Sequence, residues 1–589
     1  MRALVFLCVS SILIAGSACA PVESGERNAD AKPFIDPLTL SQSQCGGQPP
    51  ASTTSAIPAQ AAKFAFADPF VLPDAVVAHF HFFVSTGEKD AQLWFDTGMA
   101  HMANFNHDEA IAAFRKAQTI DPDCALCFWG EGLAFGSNIN APFNANRGAA
   151  GLAAALAAQT KIGSASPLEA ALINALGTRY SAAEDGSVVE NAAAFADAMD
   201  DVARQFPEDK VILSLAAEAN MDTQPWDYWA AGARAPKGRT GRTLALLERA
   251  IAIDPDFAPA IHLYIHITEG SVDPFRAERY ADSLKDQALG VGHLLHMPSH
   301  TYLRLGRWKK SLDANLQAIA ADEAYIAASK NADAYGQVYY PHNVHFVVAS
   351  AHYAGDAKTA LEMSGKLAGL VRLDPSAPAP LIEHIAAAQM FTALEFASAE
   401  DVLTIAEPPA KHLYLRTAYH YVRGAALANS GDVAGAETEH MQLKALRQAA
   451  GFDDYAALYA APLPGVYNVA LGTLAGRIEG AKGNITAAIA HLDAAAEAEA
   501  SLPYFEPTWW YYPTRQTLAG YLLKDGQHDR AEREFFKTLI QAPNNANALY
   551  GLAETFKAKG DRNAEVYART LFSEAWMGET GGHPDLDNL

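Results

Sequence analysis

Apolar residues recur every three or four positions along most of the chain, which is the period of an amphipathic α-helix. The alanine-rich stretches 151–205 and 357–500 show this period and contain few β-branched blocks. Neither stretch shows the alternation of apolar and polar residues that marks a half-buried strand. The pattern therefore predicts an all-α protein.

One helical pattern also repeats with a fixed spacing. Counted from Ala91, places 4, 8, 20, 24, 27 and 32 are Trp94, Gly98, Ala110, Phe114, Ala117 and Pro122. The small residues let two antiparallel helices approach, the large ones fill the space between them, and the proline ends the second helix. This is the tetratricopeptide-repeat (TPR) pattern. It recurs near the other end of the chain, and we predict a TPR-like α-solenoid, a superhelix of antiparallel helix pairs.

Histidines fall in register with this repeat. The frame set by Pro255 starts a repeat at Ala258, which makes His262 the fifth residue and His266 the ninth. One period of 34 later, the fifth and ninth residues are His296 and His300. The same two places are thus histidine in two successive repeats.

A third repeat extends the register. We place its start at Pro341 from the turn residues 355–356, which makes His342 second and His345 fifth. Places 2, 5, 9 and 12 share one face of the first helix of a repeat, and neighbouring first helices pack about 8–10 Å apart. Imidazoles on that face are therefore expected to meet in the concave groove of the array.

Imidazole clusters of this kind are typical of transition-metal sites, and pairs spaced i,i+4 on a helix bind zinc in other proteins. We predict a site for zinc, copper or iron. Its ligands are drawn from His262, His266, His296, His300, His342 and His345. Glu269, at the twelfth place of the first of these repeats, is a candidate catalytic base or outer ligand. Whether the protein is an enzyme is left open.

Two other interpretations use the same residues. In the first, the histidines are polar groove residues of a scaffold that binds a peptide or a protein. In the second, clustered imidazoles that titrate near neutrality form a pH-sensitive receptor. Pro298 also complicates the geometry, because a helix that begins there would leave His296 in the preceding loop.

Several segments resemble those of a group of bacterial TPR proteins that has no settled activity. They are residues 124–142, 262–274, 292–308, 339–346 and 504–520, and the sequence HMPSH followed by R-x-G-R-W is the most distinctive. The resemblance implies the fold and the position of a site but no reaction. These segments also contain polar and aromatic residues that TPR packing does not require.

We predict that such residues line a pocket with the histidine cluster as its floor; capping and packing between repeats is the alternative. The residues are Asn138, Asn140, Trp226, Trp229, Glu506, Trp510, Tyr512 and Arg515. The expected occupant of the groove is a small molecule or a peptide.

The start of the chain reads as an export signal over residues 1–20, with a basic start, a short apolar run and small residues. Two cleavages are open: one leaves a lipidated Cys19, and the other follows Ala20. The predicted location is the bacterial periplasm or, as a lipoprotein, the outer membrane. Residues 21–84 then form a flexible tether and the approach to the first helix, 85–375 an N-terminal array with the histidine-rich groove, and 376–589 a C-terminal array.

The net charge of the chain limits the classes of partner that it is expected to bind. Lys+Arg 44 against Asp+Glu 67 gives a net charge of -23, which disfavours nucleic acid and anionic lipid as binding partners.

No Walker-type phosphate loop and no G-x-S-x-G elbow occur in the sequence, which argues against a nucleotide enzyme or a common serine hydrolase. Cys124 and Cys127 form a C-x-x-C, which is a local disulfide, a redox pair or two small buried residues.

Overall fold

The structure is a computed structural model that describes residues 64–287, 290–457 and 461–585. The predicted leader, Cys19 and the tether up to residue 63 lie outside the described residues. Within those ranges the structure is almost entirely helical, which confirms the prediction of an all-α fold.

Among the described residues, the array contains twenty-six α-helices, thirteen of them in its first half. They are α1 Asp74–Val77, α2 Lys89–Ala103, α3 His107–Ile120, α4 Ala125–Ala134, α5 Ala145–Thr160, α6 Pro167–Leu176, α7 Ala192–Gln205, α8 Lys210–Met221, α9 Thr240–Ile253, α10 Ala258–Glu269, α11 Glu278–Gln287, α12 Gly292–His296 and α13 Pro298–Arg304. A small antiparallel hairpin, β1 Tyr180–Ala182 and β2 Val188–Glu190, lies between α6 and α7.

The second half contains thirteen more. They are α14 Trp308–Ala328, α15 Asp333–Ala354, α16 Ala357–Leu370, α17 Pro380–Phe396, α18 Ala399–Leu403, α19 Leu413–Asn429, α20 Val433–Leu446, α21 Leu463–Ala481, α22 Ile485–Ala500, α23 Thr514–Lys524, α24 His528–Gln541, α25 Ala546–Lys559 and α26 Arg562–Ala575. Short 3₁₀ segments occupy Ala78–Phe80, Ile162–Ser164, Pro274–Ala277 and Asp454–Ala457.

The first repeat shows why these residues form a helix pair. The buried ring of Phe114 on α3 lies against two glycines, Gly98 on α2 and Gly130 on α4. A Cβ at either glycine would lie 2.5 or 2.6 Å from that ring, so only glycine lets the three helices approach this closely. The proline at the thirty-second place follows the end of α3, as predicted.

Consecutive helices pack on one another along the chain, and the array also curls back on itself. The indole N–H of Trp308, at the start of α14, donates to the carbonyl of Asn544, 2.8 Å away. Beside it Gly306 has φ +64, and a Cβ there would meet the carbonyl of Pro543. The contact joins residues 236 positions apart and brings the C-terminal repeats against the middle of the array.

Most of the buried apolar side chains belong to two large clusters. One cluster of buried residues spans Leu72 to Ala318, and a second spans Leu312 to Tyr512. The second cluster includes Leu367 and Ala387, which flank the loop 371–379 where we divided the two arrays. Apolar packing is therefore continuous across that loop.

Two further findings bear on the sequence predictions. Cys124 and Cys127 form a disulfide with an S–S distance of 2.06 Å at the start of α4. Among the described residues, the helices are all too short or too polar to span a lipid bilayer. The repeat start predicted at Pro341 is wrong, because α15 begins at Asp333 and contains Pro341 in its interior.

Candidate metal centre

Four helices bring the histidines together. Helix α10 carries His262 and His266 one turn apart, and α12 carries His293 and His296. Helix α13 adds His300, and α15 adds the half-buried His342. Apart from His342, these residues are at most 3% exposed. The cluster is therefore enclosed in the protein rather than open to a groove, because the C-terminal repeats pack over this part of the array.

Pro298 leaves the histidine spacing intact. Helix α12 ends at His296 and α13 begins at Pro298, but Met297 between them keeps helical angles, φ -50 and ψ -39. The backbone stays helical through the boundary, so His296 and His300 remain one turn apart. Their Nε2 atoms face each other at 2.8 Å.

The donors fall into two sets of three. In the His296 group (His296, His300 and His342), one nitrogen from each ring lies within 4.8 Å of the other two. The ring of Phe346 covers this group, with its centroid 4.7 Å from the ring centroids of both His296 and His300.

The second set is the His262 group (His262, His266 and His293), whose nitrogens meet the same limit of 4.8 Å. The Nε2 atoms of His262 and His293 are 3.2 Å apart. Phe105, which has φ +54 just beyond the end of α2, lies 4.4 Å from His262 and stacks on His266 at 6.0 Å, measured between ring centroids.

Two carboxylates stand beside the histidines. Glu269 accepts from Nδ1–H of His266 through Oε1, at 3.2 Å, and lies 2.6 Å from Nδ1 of His300 through Oε2. Glu506, from the segment between α22 and α23, also accepts from His300 Nδ1–H, at 2.9 Å. His300 thus joins residues that are 206 positions apart in the chain.

These acceptors determine which ring nitrogens carry protons. Because Nδ1–H of His266 and Nδ1–H of His300 both donate to carboxylates, Nε2 is the atom of each ring that holds a lone pair when the ring is neutral. Asn315 completes the pattern: its amide N–H donates to the Ser311 carbonyl, so its Oδ1 faces His296 Nδ1 at 2.6 Å. A ring N–H fixed to an outer acceptor is the usual arrangement of metal-ligating histidines.

Burial also keeps most of these rings neutral. It lowers the pKa of His262, His266, His293, His296 and His342 well below the usual value, and charge on neighbouring histidines lowers it further. His300 differs, because the carboxylates of Glu269 and Glu506 outweigh its burial and raise its pKa to about 10. Neutral imidazole is the form that binds metal, so five of the six rings are ready to bind at pH 7.

A cavity of about 180 Å³ reaches the cluster from one side. It is lined in part by Arg304, Tyr504 and Glu506, and so includes the carboxylate that contacts His300. Trp226, whose side chain is 45% exposed, lies edge-on to His266 with ring centroids 5.3 Å apart. Among the described residues, the cluster thus comes near solvent at Trp226 and at the half-buried His342, and the cavity opens beside Glu506.

Two other predicted site residues lie outside the two histidine groups. His345 points to a different set of rings, with its centroid 5.2 Å from His384 and 5.6 Å from Tyr511. Asn140 hydrogen-bonds Tyr339, whose ring lies 4.7 Å from His293.

The remaining predicted pocket residues make structural contacts with neighbouring helices and turns. Asn138 caps the turn before Ala141, and Trp229 donates to the Ile267 carbonyl at 2.8 Å. Trp510 packs on Phe391 and Tyr421, Tyr512 donates to the Phe391 carbonyl, and Arg515 pairs with Glu497 and Glu534.

Sequence reasoning missed His293 and Asn315. His293 stands at the second place of the repeat that begins at Gly292, on the face already identified, so the register could have found it. Asn315 lies on α14, the second helix of that repeat, and its role depends on a 2.6 Å contact that no spacing predicts. The contact of Phe105 with the histidines could not be predicted from the repeat either, because Phe105 lies in the turn after α2.

Residues 91–124 match the tetratricopeptide repeat family, which confirms the first predicted repeat. Among solved structures the chain is similar to the human IFIT1 dimer with m7Gppp-AAAA, at 11% identity and TM-score 0.30, covering 89% of this chain and 95% of that one. Yeast Tom70 is similar at 14% identity and TM-score 0.25, covering 83% and 92%.

The P58(IPK) TPR domain is similar at 12% identity and TM-score 0.22, covering 80% and 98%. We draw nothing about ligands from likenesses at these scores. No curated protein matches the chain. The resemblance to a bacterial TPR group stays a prediction.

Proposed function

We propose that this TPR-like protein binds a transition-metal ion at the His296 group, with His296, His300 and His342 as ligands. The supporting observation is the distance of 2.8 Å between the Nε2 atoms of His296 and His300. Outer acceptors take the Nδ1–H of each ring, so the two Nε2 atoms that face each other in a buried space are placed to share one cation, either a metal ion or a proton.

The donor set indicates the class of metal. Three neutral imidazoles suit zinc, copper or iron, whereas magnesium and calcium prefer oxygen ligands. Three histidines with a fourth position open are typical of catalytic rather than structural zinc sites. A metal held in this way would supply Lewis-acid activation of a water or another small ligand.

The protein's own residues would serve the site in two ways. Glu269 and Glu506 hold His300 through Nδ1 and make it a stronger donor. The cavity lined by Arg304, Tyr504 and Glu506 gives a small molecule a route to the centre. Both oxygens of Glu269 lie within 3.2 Å of a histidine Nδ1, so a role as a base requires that Glu269 moves away from one of these rings.

A proton is the competitor of the metal. With its raised pKa, His300 carries a second proton on Nε2 at pH 7 when no metal is bound, and this N–H then donates to His296. Metal binding displaces that proton. The same geometry thus supports a buried imidazolium in the metal-free protein.

The alternative function is a scaffold that binds a peptide or a protein without metal. The TPR repeat at residues 91–124 favours it, since stacked helix pairs create extended binding surfaces. The two functions differ in a simple readout, because only the first requires stoichiometric metal.

The test is elemental analysis of the full chain, purified without a histidine tag from its native compartment. We expect zinc, copper or iron bound in stoichiometric amount, and at least one ion per chain fewer in the His296→Ala/His300→Ala variant. The matched control is His420→Ala, which removes a buried histidine that bonds one glutamate, Glu439, at 2.8 Å. Metal at background level in the native protein, with a partner recovered by pull-down, would favour the scaffold instead.

We also propose export to the periplasm, with or without a lipid on Cys19. The disulfide between Cys124 and Cys127 supports it, because structural disulfides persist in oxidising compartments. Cell fractionation locates the protein, and metabolic labelling with a fatty acid, compared between native protein and Cys19→Ala, decides between the two cleavages. Recovery of the native protein in the cytosolic fraction alone would contradict export.

A further inference from the structure

We infer that the protein binds a second transition-metal ion at the His262 group, and that Glu269 links the two sites. This inference rests on the proposed function, because it adds a neighbouring site to the one at the His296 group. The ligands are His262, His266 and His293, which no spacing argument assembled as a set. The evidence is the position of three ring nitrogens and of the outer partners of His262 and His266.

The separations match a metal site. In a tetrahedral site with zinc–nitrogen bonds near 2.05 Å, ligand nitrogens lie about 3.3 Å apart. The Nε2 atoms of His262 and His293 are 3.2 Å apart. His266 Nε2 is buried and has no hydrogen-bond partner among the described residues. A buried polar atom without a partner is costly, and an ion shared with the two facing nitrogens would satisfy it.

Outer contacts orient two of the three rings, while Nδ1 of His293 has no hydrogen-bond partner among the described residues. The carbonyl of Ala103 accepts from the ring of His262. Glu269 Oε1 accepts from Nδ1–H of His266, at 3.2 Å. Phe105 closes the group on one side, with its ring centroid 5.3 Å from that of His293. Neutral nitrogens in an apolar enclosure form a transition-metal site rather than a calcium or magnesium site.

One ion could not serve both groups through these atoms. Glu269 lies between His266 and His300: it accepts from Nδ1–H of His266, and its other oxygen lies 2.6 Å from Nδ1 of His300. On an imidazole, Nε2 is on the far side from Nδ1, so both Nε2 atoms point away from Glu269. The structure therefore provides two separate positions, one on either side of this carboxylate.

Glu269 is the only side chain in the described residues that contacts a ligand of both groups through separate oxygens. A carboxylate that orients a ligating histidine raises its basicity, and removing such a partner costs 10- to 100-fold in metal affinity. Both sites should therefore weaken together when Glu269 is changed. By contrast, His300 is the one ligand that Glu506 bonds among the described histidines of the two groups, so the loss of Glu506 should weaken only the His296 group.

The experiment loads metal-free full-length protein with Zn²⁺ or Co²⁺, removes excess ion by desalting and counts the ions bound per chain. We expect two ions in the native protein, one in His293→Ala, one in His342→Ala and none in the double variant. His420→Ala should keep both. Circular dichroism and thermal melting establish that each variant is folded. Glu269→Gln should bind each ion 10- to 100-fold more weakly, and Glu506→Gln should affect one ion only.

The other counts overturn the inference in distinguishable ways. One ion in the native protein, lost in both single variants, means a single shared site. One ion that both variants retain means a site made by Glu269 with the Nδ1 atoms of His266 and His300. If the native protein binds one ion and only His342→Ala loses it, the second site does not exist and the proposed function stands. If only His293→Ala loses that ion, the metal site is the His262 group and the proposed function at the His296 group is wrong. No ion at all overturns both.

Discussion

The side-chain oxygen of Asn315 lies 2.6 Å from Nδ1 of His296, in a place where both residues are fully buried. The amide N–H of Asn315 donates to the Ser311 carbonyl one turn earlier on α14, so its oxygen is fixed toward the imidazole. A second helix of the repeat thus sets the protonation of a ligand carried by the first.

Removing this acceptor should weaken metal binding. We expect Asn315→Leu to lower the affinity of the His296 group by 10- to 100-fold, since its ring is no longer held in one tautomer. Competition against a chromophoric chelator measures the change. Asn315→Asp keeps an acceptor for Nδ1–H and should bind at least as tightly as the native protein. Equal affinity in Asn315→Leu and native protein would show that the contact is only structural.

Asp322 should make stability depend on pH. Burial raises its pKa to about 7, although Tyr335 and Asn343 donate to its carboxylate at 3.0 and 2.7 Å. An acid with a raised pKa in the folded state costs stability as pH rises from its unfolded pKa, near 4, through its folded pKa, near 7. The penalty should grow by about 2–3 kcal/mol between pH 5 and pH 8.

Asp322→Asn removes that titration. The amide of Asn343 can reverse to accept from the new side chain, because its own Oδ1 has no hydrogen-bond partner within the described part of the chain. We expect the variant to gain stability over the native protein as pH rises from 5 to 8, by thermal melting at each pH. A difference in melting temperature that stays constant over this range would contradict the assignment.

The packing of the first repeat should not tolerate a methyl group at its glycines. Gly98→Ala places a Cβ 2.5 Å from the ring of Phe114, and overpacking of this kind costs about 1–3 kcal/mol. The cost should shrink in a Phe114→Leu background, which a double-mutant cycle in urea measures. Gly163→Ala is the control, since a Cβ there meets nothing within 4 Å. Equal costs in both backgrounds would exclude the ring contact as the cause.

The disulfide should contribute modestly to stability. It closes a loop of four residues between Cys124 and Cys127, for which the chain-entropy relation gives about 2 kcal/mol. We expect the double alanine variant to unfold at lower denaturant concentration by this amount. The number of metal ions per chain should be unchanged, because the pair lies outside both histidine groups. Coincident unfolding curves for oxidised protein and the variant would contradict the expectation.

Much of this fold could be predicted from periodicity. The repeats starting at Ala91, Ala258 and Ala546 correspond to helices that begin at or within two residues of those positions. The register also brought five of six predicted ligands into one cluster. It failed at Pro341, since a proline inside a long helix has the same sequence appearance as one that starts a helix.

What could not be predicted depends on contacts between distant segments. Glu506 was selected only as a polar residue that TPR packing did not need, and its bond to His300 follows from how the array curls. The division of the imidazoles into two groups depends on which ring nitrogen faces which neighbour. Helical spacing determines which face of a helix a histidine lies on but not how its ring is rotated. The repeat register therefore cannot predict the number of metal sites.

The bond between Glu506 and His300 has a consequence for how the centre is made. Glu506 follows His300 by 206 residues, which at translation rates of about 5–20 residues per second corresponds to about 10–40 s. The direction of synthesis therefore sets an order of assembly, with five of the imidazoles and Glu269 present within a short interval and the last negative charge arriving late. A chain cut short before residue 506 would retain all six imidazoles yet leave His300 with half of its carboxylate partners.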